Sequence, residues 1–193
     1  MGSKKVDEDM RREPETKKLI CEKMLELMQT KNCMSIKVTE LTRKANISRG
    51  TFYIYYDSIF DVIQGMEDEF IEGAKQASRK VPILKERSME ETRSLLVYIQ
   101  ENVEVFKALS GPNGDPSFET RFMNAFAPEK YRSITKVNEE KHSKVEQKLV
   151  IEHAKAGRWA IFKWWASHAD EVSMDELVYL IYRINQQTVA LLE

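Results

Sequence analysis

The chain has 193 residues, 42% of them hydrophobic, with 30 Lys and Arg set against 31 Asp and Glu for a formal net charge of -1 at pH 7. That length suits one compact domain or two small ones with a shared interface, and the balanced charge excludes a whole-chain field for nucleic acid or membrane, so any such signal has to be local. The longest apolar runs are too short and too charged at their flanks to cross a bilayer, and Cys21 and Cys33 form no disulfide framework, so a cytoplasmic protein without a membrane partner is expected.

Residues 1–10, charged and poor in large apolar groups, are expected to be a disordered segment. Ile20, Met24 and Leu27 then recur at helical spacing, and residues 38–45 (VTELTRKA) read as a short helix with Val38, Leu41 and Ala45 on one face. The next stretch, NISRGTFYIYYDS at 46–58, carries conflicting signals. Its 51–56 run is β-branched and aromatic, which local propensity assigns to a strand. A lone six-residue strand would leave its ladder unmade in an otherwise helical chain, so a short helix is expected, imposed by packing against Ile20, Met24 and Leu41. Asn46 tolerates the left-handed backbone of a sharp turn, Ile47 plugs the core beneath it, and Ser48 caps the second helix, which makes a helix-turn-helix.

Downstream, Val62, Met66, Phe70, Ala74 and Ala77 lie on one helix that Val81-Pro82 ends. A serine three residues before a glutamate predicts capping boxes at 88–91 and 173–176. Leu95, Ile99, Val103 and Phe106 continue the helical pattern up to the SGPNGDPS break at 110–117, where Asp115 and Pro116 read as cap and first-turn proline for a helix bearing Phe118, Phe122 and Phe126. Two further amphipathic helices carry Val150, Ala154, Gly157, Ile161 and Trp165, and Leu177, Ile181, Ile184, Thr188 and Leu191. Strand alternation is nowhere sustained, so the fold class is all-α.

The helix-turn-helix carries the chemistry. Phe52 and Tyr56 fall inward, whereas Arg49, Gly50, Thr51, Tyr53 and Tyr55 fall on the remaining surface. Arg49 suits a base edge, guanine above all, and Gly50 lets the backbone come close to a duplex. Ser48, Thr51, Tyr53, Tyr55 and Thr39 offer hydroxyls to phosphate oxygens. Lys31, Lys37, Arg43, Lys44 and Arg49 are opposed between 31 and 56 only by Glu40, a local basic patch hidden by the neutral total. His142, His153 and His168 lack the close helical pairing of a metal site, and neither a glycine-rich phosphate loop nor a nucleophile elbow is present. No cofactor, metal or enzymatic activity is expected.

The segment KVTELTRKANISRGTFYIYYDSIFDVI, 37–63, resembles the DNA-binding signature of the tetracycline-repressor (TetR) family of bacterial transcriptional regulators. The stretches at 101–118 (ENVEVFKALSGPNGDPSF) and 157–177 (GRWAIFKWWASHADEVSMDEL) resemble the C-terminal domain of its Firmicutes-type branch, so the likeness spans nearly the whole chain from about Arg11. It implies about nine helices: a three-helix DNA-binding domain at 11–57, a connecting helix at 58–81, and a regulatory and dimerisation domain at 82–193. It further implies a homodimer that binds a double-stranded DNA operator, with repression the commoner mode. The family's DNA contacts map onto Thr39, Ser48, Arg49, Gly50, Thr51, Tyr53 and Tyr55.

Two departures stand out. Asn46 replaces the usual glycine, and Ile59 replaces a phosphate-contacting lysine, so that Ser58 or the amides at the start of the fourth helix would have to compensate. Lower affinity or a shallower salt dependence is expected. The family implies a four-helix dimer interface containing Gly157, Ile161, Trp164, Trp165, Ile181, Ile184 and Thr188; the alternative is that these helices pack only on their own subunit. Trp164 and Trp165 cannot face one way, which assigns one to the core and one to the partner. A pocket for a small apolar effector is also implied, with Phe106, Phe118, Phe122, Met123 and Phe126 as lining, although core packing explains them equally well. The alternative function is a helical adaptor that acts through a protein partner with little DNA binding.

Overall fold

The structure, a computed structural model, describes residues 3–79, 87–126 and 142–191. Among them are nine α-helices and no strand: α1 (Ser3–Met28), α2 (Val38–Lys44), α3 (Arg49–Tyr55), α4 (Ile59–Arg79), α5 (Arg87–Glu101), α6 (Val103–Ser110), α7 (Ser117–Phe126), α8 (Lys144–Ser167) and α9 (Met174–Ala190). A short 3-10 turn, Cys33–Ser35, separates α1 from α2. The all-α expectation holds. The segment expected to be disordered is instead helical from Ser3; its Lys, Glu and Met residues are good helix formers even without an apolar face. The Val81-Pro82 stop lies outside the described residues.

The chain divides into two compact units, one of residues 1–69 and 108–116, the other of residues 70–107 and 117–193. In the first, α1 packs on α2 and on the 3-10 turn, and α2 packs on α3. Ile20, Met24, Cys33, Leu41, Phe52, Val62, Ile63 and Leu109 form its buried core. The loop after α6 belongs to this core: the Asn113 amide nitrogen donates to the Met28 carbonyl at 2.8 Å, and Cys33 N–H donates to the Asn113 carbonyl at 2.8 Å. A carbonyl in the last turn of α1 has no partner within its own helix, and the asparagine supplies one.

In the second unit, α5 packs on α8 and α9, α8 packs on α9, and α7 packs on α8. Its core joins Leu95, Leu96 and Ile99 with Leu177, Val178 and Ile181 and a block of aromatic rings. Both expected capping sites can be located. At Ser173 the box is complete, with Glu176 N–H donating to Ser173 Oγ at 3.3 Å and Ser173 N–H donating to Glu176 Oε2 at 3.1 Å. At 88–91 it is absent as a boundary, since α5 starts at Arg87 and Ser88 is already inside the helix. The Asp115-Pro116 start is also displaced by one residue, with α7 beginning at Ser117.

Candidate nucleic-acid interface

Asn46, with φ 52°, is the one non-glycine residue of positive φ among the described residues. Around it, Ile47 N–H donates to the Thr42 carbonyl at 3.0 Å and Asn46 N–H donates to the Arg43 carbonyl at 3.2 Å. These are the two bonds of a Schellman motif, which ends α2 by satisfying its last carbonyls. Asparagine serves in place of glycine because its short polar side chain tolerates the left-handed region. Ser48 follows as the N-cap of α3, accepting from Thr51 N–H at 2.9 Å, while its hydroxyl also lies 2.8 Å from Thr51 Oγ1. Those two hydroxyls share one hydrogen bond, so one of them retains a hydrogen to offer outside.

Phe52 is fully buried and fixes the rotation of α3 about its axis. Arg49, Gly50 and Tyr53 are exposed as expected, and Thr39 is exposed at the start of α2; Thr51 and Tyr55 are half-buried. The Arg49 guanidinium lies 5.9 Å from the centre of the Tyr53 ring one turn on, and Lys17 Nζ lies 6.0 Å from that of Tyr55. Tyr56 is not in the helix: it closes α3 in extended backbone (φ −145°, ψ 134°), and its hydroxyl meets Cys21 Sγ at 3.7 Å. Its inward direction survives through this cap. Burial pushes its phenol well above the usual tyrosine value.

The residue missed from sequence is Ile54. At 73% exposure it is the most exposed large apolar side chain of the described residues, and it lies one turn from Gly50 on the same face of α3. Helical periodicity finds buried stripes, and an isolated apolar residue on the outer face of a seven-residue helix gives no such signal.

The basic patch is thinner than the linear window implies. Lys31 pairs with Glu40 at 2.6 Å, as the local sequence allows, but Lys44 pairs with Glu26 of α1 at 3.0 Å. Lys31 and Lys44 thereby help hold the two carboxyls below the ordinary range, with Lys23 the larger influence on Glu26. Among the described residues, Lys37, Arg43 and Arg49 make no ion pair. The start of α4 is acidic as well as lacking a lysine. Ser58 Oγ accepts from Asp61 N–H at 3.2 Å, and the Asp61 carboxylate accepts from Asp57 N–H at 3.0 Å. These internal bonds already engage amides that would otherwise receive a phosphate.

Of the candidate interface residues in the second unit, Gly157, Ile161, Ile181, Ile184 and Thr188 line one groove between α8 and α9, of about 150 Å³, together with His153. A Cβ on Gly157 would meet nothing within 4 Å. Trp164 is 47% exposed and stacks on His168 at 4.7 Å, whereas Trp165 is 2% exposed. Adjacent helical residues point about 100° apart, so Trp165 belongs to the unit's own core and leaves the candidate interface. Phe106, Phe118 and Phe122 are brought together with Phe70, Trp159 and Phe162; Phe122 has all five of these rings and Phe126 within 6.4 Å. Met123 is buried and Phe126 half-buried beside them.

The fold and the site define a helix-turn-helix protein with a separate helical C-terminal unit. Residues 86–187, more than half of the chain, match the family described as transcriptional regulator C-terminal region, TetR_C_8; the chain belongs to the TetR family of transcriptional regulators. The fold is similar to that of a protein described as a tetR family transcription regulator from Shewanella sp. PV-4, at 15% identity and TM-score 0.65 over 88% of this chain and 95% of that one. It is also similar to DhaS, named as a dihydroxyacetone kinase operon activator (21% identity, TM-score 0.51, 91% and 94% covered), and to the fatty acid degradation regulator FadR from Bacillus halodurans (10% identity, TM-score 0.53, 90% and 94% covered). No curated protein matches the sequence. Among the described residues no helix is long and apolar enough to cross a membrane.

Proposed function

We propose that the chain is a cytoplasmic homodimeric repressor that places α3 in the major groove of a double-stranded operator. The observation that carries this reading is the outward face of α3. Arg49, Gly50 and Tyr53 are exposed on a helix whose rotation is fixed by buried Phe52 and whose start is fixed by Ser48. Arg49 then meets a base edge, and Thr39, Ser48, Thr51, Tyr53 and Tyr55 position the helix on phosphates. Ser58 caps α4 and keeps its hydroxyl hydrogen for a phosphate, but contributes less because the carboxylates of Asp57 and Asp61 stand beside it. Dimerisation uses the α8–α9 face, where Gly157, Ile161, Ile184 and the edge of Trp164 meet the partner over the floor of Ile181 and Thr188. Operator affinity responds to a small apolar effector that parts the aromatic cluster of Phe106, Phe118, Phe122, Met123 and Phe126.

The acidic start of α4 favours a second reading, that of an adaptor which binds protein through this surface. Fluorescence anisotropy with the DNA upstream of its own gene, across a salt series, decides between the two. Phosphate-driven binding falls steeply as salt rises, whereas a mainly apolar protein interface does not weaken in that way. The repressor reading expects salt-sensitive binding to that fragment in preference to a scrambled one, and loss of the preference in Arg49→Ala at a cost of about 1–3 kcal/mol. Binding no better than to scrambled DNA, with Arg49→Ala equal to wild type, would refute it for that fragment and favour the adaptor.

A further inference from the structure

Ile54 is left largely uncovered by its own fold, with 73% of the residue exposed. A β-branched residue is also a poor choice for an exposed helical position, where alanine, lysine or glutamate would support the helix better. Its neighbours on α3 are polar. The adjoining row on α3 is Arg49 and Tyr53, with the guanidinium over the ring. One turn before Ile54 on its own row is Gly50, where a Cβ would meet only Ser48 Oγ at 3.6 Å. The row therefore consists of an open space followed by an isolated apolar side chain.

We infer that Ile54 is a specificity-determining residue that reads the C5-methyl group of a thymine in each operator half-site. This rests on the DNA-binding reading above and adds the chemistry of one recognised base. The methyl of thymine is the one apolar group on the base edges of the major groove. The exposed Arg49 on the adjoining row favours an anionic occupant for this surface, and the missing side chain at Gly50 lets the helix approach until Ile54 reaches the bases. Arg49 selects a hydrogen-bonding edge on the neighbouring row, so the two rows read different base chemistry.

The test starts from selection of binding sites by the full-length protein from a random duplex pool, followed by replacement of each thymine in the selected site by deoxyuridine. Deoxyuridine keeps the base pair and removes only the methyl. At one thymine per half-site the wild type should lose roughly fourfold in affinity, the equivalent of burying one methyl group. Ile54→Ala and Ile54→Ser should bind the two duplexes alike, with circular dichroism showing that they are folded. A selected site at which no deoxyuridine weakens the wild type, or at which the variants lose as much as the wild type does, overturns the assignment of Ile54 and leaves DNA binding intact. If the wild type enriches no site from the pool, both the DNA-binding reading and this inference fall.

Discussion

Gly50→Ala is expected to strengthen the fold while weakening DNA binding. Gly50 lies in the first turn of α3 and does not have a positive φ, so alanine fits its backbone without strain. The added Cβ meets only Ser48 Oγ, at 3.6 Å, which is ordinary van der Waals contact. Alanine restricts the unfolded chain and suits a helix better, for a gain of up to about 1 kcal/mol. In a chain of this size that corresponds to a rise of roughly 2–4 °C in Tm. In the proposed complex with DNA the same carbon would occupy the space through which the backbone approaches the base edges. Forcing one extra carbon into a packed contact costs about 1–3 kcal/mol, or roughly 5- to 150-fold in Kd. Thermal denaturation followed by circular dichroism and anisotropy on a selected duplex read the two effects separately. Wild-type affinity in the alanine variant would refute close approach at this position, and a lower Tm would refute the account of the turn.

Asp57→Lys should raise DNA affinity and steepen the dependence of log K on log salt by about 0.9, as expected for one added phosphate contact; an unchanged slope would put the start of α4 away from the backbone. Ile184→Glu sets like charges against an apolar groove in both subunits and should weaken the dimer at least tenfold, roughly 1.4 kcal/mol, with helicity retained. Sedimentation equilibrium checks this, and a variant as dimeric as the wild type would remove α9 from the interface. Burial, aided by neighbouring Cys21, raises the Tyr56 phenol above its ordinary value of 10.0. The unfolded chain therefore ionises first, so this contribution to stability is complete below pH 10.0 and is lost as pH rises above it. Tyr56→Phe should make the alkaline limb of a pH–stability profile shallower; an unchanged limb would show that the phenol is not the group responsible.

Where short-range chemistry decides the structure, the sequence suffices to read it. Asn46, Ile47 and Ser48 specify a left-handed turn and a cap within three residues, and Phe52 specifies the buried side of α3. These choices depend on backbone sterics and local hydrogen bonds, and the chain carries both in linear order. Three features depend on neighbours remote in sequence. Glu26 reaches Lys44 only because α1 packs on α2. Trp164 and Trp165 separate into surface and core only once the rotation of α8 is known. A serine three residues before a glutamate works as a capping box at Ser173, but at Ser88 the helix has already begun, since the pattern names a candidate boundary and tertiary structure chooses among candidates.

The redistribution of charge alters how discrimination between sequences has to arise. With Lys31 and Lys44 held by carboxylates and Asp57 and Asp61 at the start of α4, few cations remain to neutralise phosphates. Non-specific binding scales with the number of phosphates neutralised, so in this chain it should be weak, with a shallow dependence on salt. Contacts to base edges do not depend on that number. A site read by Arg49 through hydrogen bonds and by Ile54 through a methyl group can therefore keep a high ratio of specific to non-specific affinity while its absolute affinity stays modest, and it is this ratio that lets a regulator find one operator among many competing sites.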